Sequence, residues 1–299
     1  MTNRRKLALG FQLVRLSLTL DVRFWRRRDF PARMRLSFLG KKYALILRHR
    51  IRPFRLGHDS VMWDGKRIFY GTPFGLATYQ GQLTRIQHLL DIAGIRSAKD
   101  VVDVGANVGF FSLMAARRFP GARIVAIEPV PQLFDCLTHN LGDRSHTLLL
   151  NVAVSDSAET VQMSYSPMDS EVSKVTSSGE VSVEARTLDD VAQEYGLETV
   201  DLLKVDVEGF EAHVLRGARR VLENTRFILI EVTIEGNTNY TMSSLCGLLS
   251  SSTFDFQLVA FRNFADKGEG EAPILDCLFE NIALTRSSSG GVIGKSDTR

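Results

Sequence analysis

The chain of 299 residues has few of the residue types that mark several protein classes. Its three cysteines, Cys136, Cys246 and Cys277, form no C-x-x-C pair, so inert buried thiols in a reducing compartment are expected rather than a disulfide framework. No stretch reaches the roughly 18–20 apolar residues that a membrane-spanning helix requires. No internal repeat is evident. The content of 44% hydrophobic and 24% charged residues is that of an ordinary globular protein.

The net charge of +3 conceals two segments of opposite sign. Residues 1–56 carry sixteen Lys or Arg and two acids, a net +14, and the remaining 21 basic and 32 acidic residues give −11. The apolar run from Leu7 to Leu20 is interrupted by Arg15, and no small-x-small cleavage site follows it, so a secretory signal is not predicted. The Arg-rich, acid-poor start also suits an organellar transit peptide, which is a less favoured alternative. Residues 1–32 are predicted to form a basic amphipathic arm. It either lies on an anionic membrane surface through residues 1–30 or docks on the acidic body of the protein.

Two hairpin patterns follow the arm and predict a small β extension over residues 33–78. Strands at 34–39 and 43–47 flank a turn at Gly40, and strands at 61–63 and 68–70 flank Asp64-Gly65. A helix is expected from Gln82 to Ala93. A Ser- and Gly-rich tail, residues 287–299, is predicted to be disordered.

Residues 79–286 are predicted to form one α/β domain, because short apolar strands alternate with helical patterns. The strands are predicted at 101–104, 123–127, 147–152, 200–205, 227–232, 256–261 and 275–284, and the helices at 110–118, 132–141, 188–195, 210–222 and 242–249. A hairpin is predicted between 161–164 and 181–185, with a polar loop at 166–179. Apolar strands separated by helices indicate a mostly parallel sheet that is covered on both faces, and the last two strands indicate an antiparallel pair at one edge.

A glycine-containing loop, Asp103 to Gly109, joins the first strand of this series to a helix. Gly105 and Gly109 permit a tight turn and a close approach of the backbone to a ligand. The fingerprint G-x-G-x-x-G of dinucleotide sites requires glycine where Asn107 stands, and the loop has no Lys or Arg. A pyrophosphate ligand is therefore disfavoured.

Glu128 and Pro129 follow the next strand of the series. An acid at this position can accept hydrogen bonds from the 2′- and 3′-hydroxyls of a ribose, and Asp103 offers a carboxylate to an ammonium group. A ligand with a ribose and an ammonium group but no phosphate corresponds to S-adenosylmethionine. The alternative is a purely structural glycine turn beside a solvated Glu128.

A second group of charged residues, Lys204, Asp206 and Glu208, lies at the end of strand 200–205. Lys204 and Asp206 share one face of the strand, and a lysine in an apolar strand requires a partner, for which Asp103 or Asp206 is expected. Glu231 ends the following strand. These carboxylates can provide a general base, hold a divalent cation or form ion pairs only.

Other candidates for chemistry are weaker. No His pair has the spacing of metal ligands, so no metal ligand is assigned, and no serine lies in a G-x-S-x-G motif. His213 lies one helical turn beyond Glu208 and is a candidate accessory base, although packing or surface exposure explains a single histidine as well.

Seven segments, in order, resemble the FkbM-type methyltransferases over residues 99–235. They are D-V-G-A-N-V-G-F-F-S at 103–112, I-E-P at 127–129, N-V-A-V-S-D at 151–156, R-T-L-D-D at 186–190, L-L-K-V-D-V-E-G-F-E at 202–211, V-L-R-G-A at 214–218 and I-E-V at 230–232. The resemblance implies a class I, Rossmann-like, doubly wound fold with a seven-stranded, mostly parallel sheet and an antiparallel edge strand. It also implies S-adenosylmethionine as cofactor and O-methylation of saccharides, polyketides or similar metabolites.

The resemblance assigns roles to individual residues. Asp103, Gly105, Asn107 and Gly109 would form the cofactor loop, Glu128 with Pro129 would bind the ribose, and Asn151 would lie beside the adenine. Asp206 and Glu208 would lie at the transfer site. From the charge pattern alone, Lys204 is added as a candidate catalytic residue, and a divalent cation as an additional cofactor is left open.

The sequence thus predicts a cytoplasmic O-methyltransferase, located at the membrane periphery if the arm binds lipid. The alternative is a non-catalytic protein of the same fold that acts as a membrane-surface module through its arm. A nucleic-acid acceptor is not expected, since no N/D-P-P-Y/F-type loop follows the fourth strand. The acceptor pocket is expected in the loops at 165–180 and 235–242.

Overall fold

The computed structural model describes residues 60–63, 66–69, 73–166, 169–175, 179, 181–233, 240–263 and 274–284, and the single positions 32, 36, 39 and 40. The predicted arm (apart from position 32), the strand 43–47, the turn at Asp64-Gly65 and the tail 287–299 lie outside the described residues. Among the helices that are described, none has both the length and the apolar character needed to cross a membrane.

The described elements follow the alternating order that the sequence predicts. They are β1 (Ser60–Trp63), β2 (Lys66–Phe69), α1 (Pro73–Ile92), β3 (Asp100–Val104), α2 (Phe110–Arg118), β4 (Arg123–Ile127), α3 (Pro131–Leu141), β5 (Thr147–Leu150), β6 (Ala153–Val154), β7 (Glu159–Ser166), β8 (Asp169–Val175), β9 (Val181–Arg186), α4 (Leu188–Tyr195), β10 (Val200–Val205), α5 (Glu211–Arg216), α6 (Arg219–Glu223), β11 (Thr225–Thr233), α7 (Met242–Leu248), β12 (Phe256–Asn263) and β13 (Ile274–Asn281).

The central sheet has seven strands in the order β12-β13-β11-β10-β3-β4-β5. Strands β11, β10, β3, β4 and β5 pair in parallel. The mostly parallel sheet is therefore confirmed. The antiparallel strand, β13, lies one position inside the edge, between β11 and the edge strand β12. The chain order reverses between β3 and β10, and the carboxyl ends of these two strands form the crevice where ligands bind in folds of this type.

Helices cover both faces of this sheet because successive residues of a strand point to opposite faces. In β3, Val101 belongs to a buried core with residues of α1, α2 and α3. Val102 and Val104 belong to a second core with residues of α4, α5, α6 and α7. Burial on both faces explains why the parallel strands are apolar throughout.

The predictions before residue 95 are confirmed only in part. Strands β1 and β2 pair antiparallel, as expected for the second hairpin. The backbone is helical at Leu36, Leu39 and Gly40, so the predicted strand and turn are wrong at these positions. Leu36 and Leu39 lie three positions apart, a spacing that places both on one face of a helix but on opposite faces of a strand. Helix α1 begins at Pro73, not near Gln82, and the predicted boundary at residues 78–79 falls inside it.

A second sheet, in the order β6-β9-β7-β8, corrects the interpretation of residues 166–179. The predicted hairpin of β7 with β9 is confirmed. The polar loop between them, however, contains β8, which pairs antiparallel with β7. The predicted helix 210–222 is divided into α5 and α6 at Gly217, where a side chain would lie 2.0 Å from the Ser155 carbonyl oxygen.

Candidate active site

The loops that follow β3 and β10 pack directly on each other. Gly105 has φ +78°, and a Cβ atom added there would lie 1.9 Å from the carbonyl oxygen of Asp206. The Asp206 amide donates a hydrogen bond to the Val104 carbonyl at 3.1 Å. Glycine is therefore required at position 105 for contact between the two loops. The sequence suggested a different reason, the close approach of a ligand.

Glu128 is held at the end of β4 by two backbone amides. Its Oε2 accepts a hydrogen bond from the Asn107 amide at 2.8 Å, and its Oε1 accepts one from the Val130 amide at 2.9 Å. Burial raises the pKa of Glu128 to about 7, although both amides act to lower it. Asn107, predicted as part of the cofactor loop, thus lies against the carboxylate predicted to bind the ribose.

Asn151 joins the same group from the end of β5. Its side-chain amide donates to the carbonyl oxygens of Glu128 at 2.8 Å and Pro129 at 3.0 Å. The side chain therefore fixes the backbone on which the Glu128 carboxylate is mounted. Four residues predicted to bind the cofactor, Asn107, Glu128, Pro129 and Asn151, are brought together here.

Asp103 is fully buried at the end of β3. Its Oδ2 accepts a hydrogen bond from the Ser112 hydroxyl at 2.7 Å, and its Oδ1 lies 3.3 Å from the ammonium group of Lys204. The predicted ion pair with Lys204 is confirmed. The contact between Asp103 and the ammonium group of a ligand stays a prediction.

Lys204 is 4% exposed, and its ammonium group lies 3.1 Å from Asp206 Oδ2. It also donates to the Gly105 carbonyl at 3.3 Å. Burial acts to lower the pKa of Lys204, but the carboxylates of Asp206 and Asp103 raise it above its ordinary value. Lys204 is thus a fixed cation at neutral pH. It stabilises negative charge on Asp206 and does not serve as a base.

Asp206, Glu208 and Glu231 form a carboxylate cluster at the ends of β10 and β11. One carboxylate oxygen from each lies within 4.8 Å of the others. Burial raises the pKa of Glu231 well above its ordinary value, and the negative charges of Asp206, Asp276 and Glu208 raise it further. The carboxylate cluster has the geometry to exchange a proton with a substrate or to hold a divalent cation.

Asp276 is a buried neighbour of the cluster that the sequence analysis missed. It lies opposite Glu231 in the register of β11 and β13, and its Oδ2 accepts a hydrogen bond from Arg85 Nε at 3.0 Å. Because β13 is antiparallel, its beginning lies at the edge of the sheet where the parallel strands end. The available signal for Asp276 was an acid near the start of the last strand, whereas the prediction rested on acids at the ends of strands.

His213 has partners of its own. Its Nδ1 lies 3.1 Å from Asp156 Oδ2, and its ring stacks on Phe210 with 4.1 Å between the ring centres. The accessory-base role of His213 stays a prediction.

Most residues of this site lie in the part of the chain that matches a known protein family. The family model of the methyltransferase FkbM domain matches residues 103–257, which include Asp103, Glu128 and the whole carboxylate cluster. Helix α1 and strand β13, which supply Arg85 and Asp276, lie outside the matched residues.

Three curated relatives align over 44% of the chain each. Methyltransferase sdnD of Sordaria araneosa is 36% identical over 166 residues, which are 44% of this chain and 64% of that protein. The 2-O-methyltransferase NoeI of Sinorhizobium fredii is 33% identical over 154 residues, 44% of this chain and 62% of that protein. The hexuronic acid methyltransferase AglP of Haloferax volcanii is 29% identical over 132 residues, which are 44% of this chain and 54% of that protein. The chain thus spans between 54% and 64% of the length of these relatives.

Proposed function

Because the chain belongs to the FkbM methyltransferase domain family, we propose that it is an S-adenosylmethionine-dependent O-methyltransferase acting on a hydroxyl of a saccharide, polyketide or similar metabolite. The observation that carries the proposal is the arrangement at the reversal point of the sheet. Glu128 lies at the end of β4, and the carboxylate cluster begins directly beyond β10, on either side of the loop after β3.

The residues around Glu128 fit the cofactor. Each carboxylate oxygen of Glu128 accepts one backbone hydrogen bond, and an ionised carboxylate has about four acceptor positions, so acceptor capacity remains for ribose hydroxyls. The Asn107 amide donates to this carboxylate, and Asn151, which the resemblance assigns to the adenine side, holds the backbone of Glu128 and Pro129. S-adenosylmethionine supplies the methyl group when it is bound.

Asp206 or Glu208 removes the acceptor proton. The acceptor oxygen would receive the methyl group that the sulfonium of S-adenosylmethionine releases, while the carboxylate takes up the hydroxyl proton. The neighbouring Lys204 ammonium group, 3.1 Å from Asp206 Oδ2, holds that side chain in place beside the acceptor. Positioning supplies much of the remaining acceleration, because the displacement is in-line.

A divalent cation held by Asp206, Glu208 and Glu231 is the alternative use of the cluster. It would lower the pKa of a bound hydroxyl and so replace the carboxylate as the means of deprotonation. Chelation followed by addition of Mg²⁺ or Mn²⁺ separates the two mechanisms, because only the second predicts that activity is lost and restored.

Activity is tested with labelled S-adenosylmethionine and a panel of hexuronic acids, the acceptor class that one relative's name gives, together with neutral hexoses for comparison. At least one of Asp206→Asn and Glu208→Gln should lower turnover by about 100-fold or more, the range for loss of a general base, while affinity for S-adenosylhomocysteine is kept. Glu198→Gln, at an exposed position, is the matched control. Near-normal turnover in both variants would refute the assignment. Failure of S-adenosylmethionine to bind at millimolar concentration would instead favour the non-catalytic alternative.

The basic arm is proposed to place the enzyme on an anionic membrane surface. The support is its charge, since residues 1–56 carry +14. Full-length protein should co-sediment with vesicles of phosphatidylserine and phosphatidylcholine, less so at high salt. Removal of residues 1–30 should abolish co-sedimentation without changing methyl transfer to a small acceptor, and binding that survives the truncation disproves the idea.

A further inference from the structure

Helix α1 reaches the transfer site from outside the matched domain. Gln82 and Arg85 lie three residues apart on this helix, and Gln82 Nε2 donates a hydrogen bond to Asp206 Oδ2 at 3.0 Å. Leu83, Ile86 and Leu89 of the same helix are buried in the core beneath the sheet. The helix is therefore firmly anchored, and Gln82 meets Asp206 from a fixed position.

Two donors converge on the same oxygen of Asp206. Lys204 Nζ lies 3.1 Å and Gln82 Nε2 3.0 Å from Oδ2. A carboxylate held by two donors at one oxygen has its plane fixed, and the second oxygen is then directed elsewhere. The two donors differ in kind. Lys204 supplies charge, whereas the Gln82 amide is neutral and contributes chiefly direction.

We propose that Gln82 is a positioning residue of the transfer site, holding Asp206 through Oδ2 so that Oδ1 faces the hydroxyl of the acceptor. This inference rests on the proposed function, with Asp206 as the group that accepts the proton. It gives α1 a part in the reaction although α1 precedes the matched residues 103–257.

Replacement of Gln82 by methionine keeps the length of the side chain and removes the donor. Gln82→Met should lower kcat about tenfold, with the KM for S-adenosylmethionine changed by less than about twofold, because the interaction lost is to a charged group that acts in the chemical step. Gln162→Met is the matched control. Its amide donates to the Ser182 hydroxyl at 3.2 Å on the exposed second sheet, and kcat should be unchanged.

A double-mutant cycle with Asp206→Ala separates positioning from general support of the fold. If Gln82 acts through Asp206, Gln82→Met should destabilise the parent protein in urea denaturation but have less than about half that effect in the Asp206→Ala background. Equal effects in both backgrounds, or a fall in kcat shared by Gln162→Met, would overturn the inference. The cycle needs no turnover. A parent protein that transfers no methyl group therefore refutes the proposed function without deciding the Gln82–Asp206 contact.

Discussion

Glu128 gives the stability of the protein a pH dependence that a single substitution should remove. The side chain is buried, and burial raises its pKa from an ordinary 4.5 to about 7 in the folded protein. Between these two values the unfolded chain has lost the proton while the folded protein still holds it. The folded state therefore binds more protons, and the free energy of unfolding must fall as the pH rises through this window.

The size of the effect follows from the two pKa values. Since one pKa unit corresponds to 1.36 kcal/mol, the gap between 4.5 and about 7 amounts to about 3 kcal/mol, all of it lost above pH 7. Glu128→Gln removes this titration. It also costs about 1–3 kcal/mol at every pH, because the amide NH₂ group must face the backbone N–H of either Asn107 or Val130. The parent protein should thus be the more stable of the two at pH 5, and its advantage should shrink or reverse by pH 8.

Urea denaturation of both proteins at intervals from pH 5 to pH 8 measures this difference. Exposed Glu198→Gln is the control and should differ from the parent by a constant amount. A difference between the parent and Glu128→Gln that does not change with pH would refute the reasoning. Ribose hydroxyls donate best to an ionised carboxylate, so calorimetry of S-adenosylhomocysteine binding near pH 7 should also show proton release by the parent and not by Glu128→Gln.

Two further substitutions test the packing of the site by urea denaturation. Gly105→Ala places a Cβ atom 1.9 Å from the Asp206 carbonyl and should cost about 3 kcal/mol, whereas Gly121→Ala, at φ +85° with open space around it, should cost about 1 kcal/mol. Equal losses would show that the loop contact at Gly105 is not tight. Asp103→Asn leaves buried Lys204 with one carboxylate fewer and should cost about 3 kcal/mol, and a loss below about 1 kcal/mol would mean that Asp206 alone balances the charge.

The parallel sheet could be predicted because burial on both faces leaves a strong apolar signal. Strand β10 and helices α2 and α4 begin and end at the predicted residues. Strand β8, with the sequence D-S-E-V-S-K-V, has no apolar run. Its pairing with β7 depends on tertiary structure and cannot be predicted from the local sequence pattern. The start of α1 was not predicted because Gly75 and Gly81 have a low helix propensity. Packing of the helix on the sheet outweighs that preference.

The candidate site likewise contains residues that the sequence predicts and residues that only the structure reveals. Glu128 and Asp206, directly after parallel strands, and Glu231, near the end of β11, were recognised because the end of such a strand has a known place in the fold. The partners Gln82, Arg85 and Asp276 come from a preceding helix and an antiparallel strand. Their local sequence gives no indication that they lie beside the carboxylate cluster, so only the assembled sheet reveals them.

The charges of the assembled site explain why the base should belong to the carboxylate cluster. Two cations, Lys204 and Arg85, are outnumbered among the described residues of the site by five carboxyl groups, those of Asp103, Asp206, Glu208, Glu231 and Asp276. Methyl transfer from a sulfonium removes one positive charge from the cofactor. A carboxylate that accepts the hydroxyl proton loses one negative charge in the same step, so the net charge of the buried site is unchanged. A base outside the cluster would instead leave the carboxylates with one more uncompensated negative charge, which a low-dielectric site disfavours.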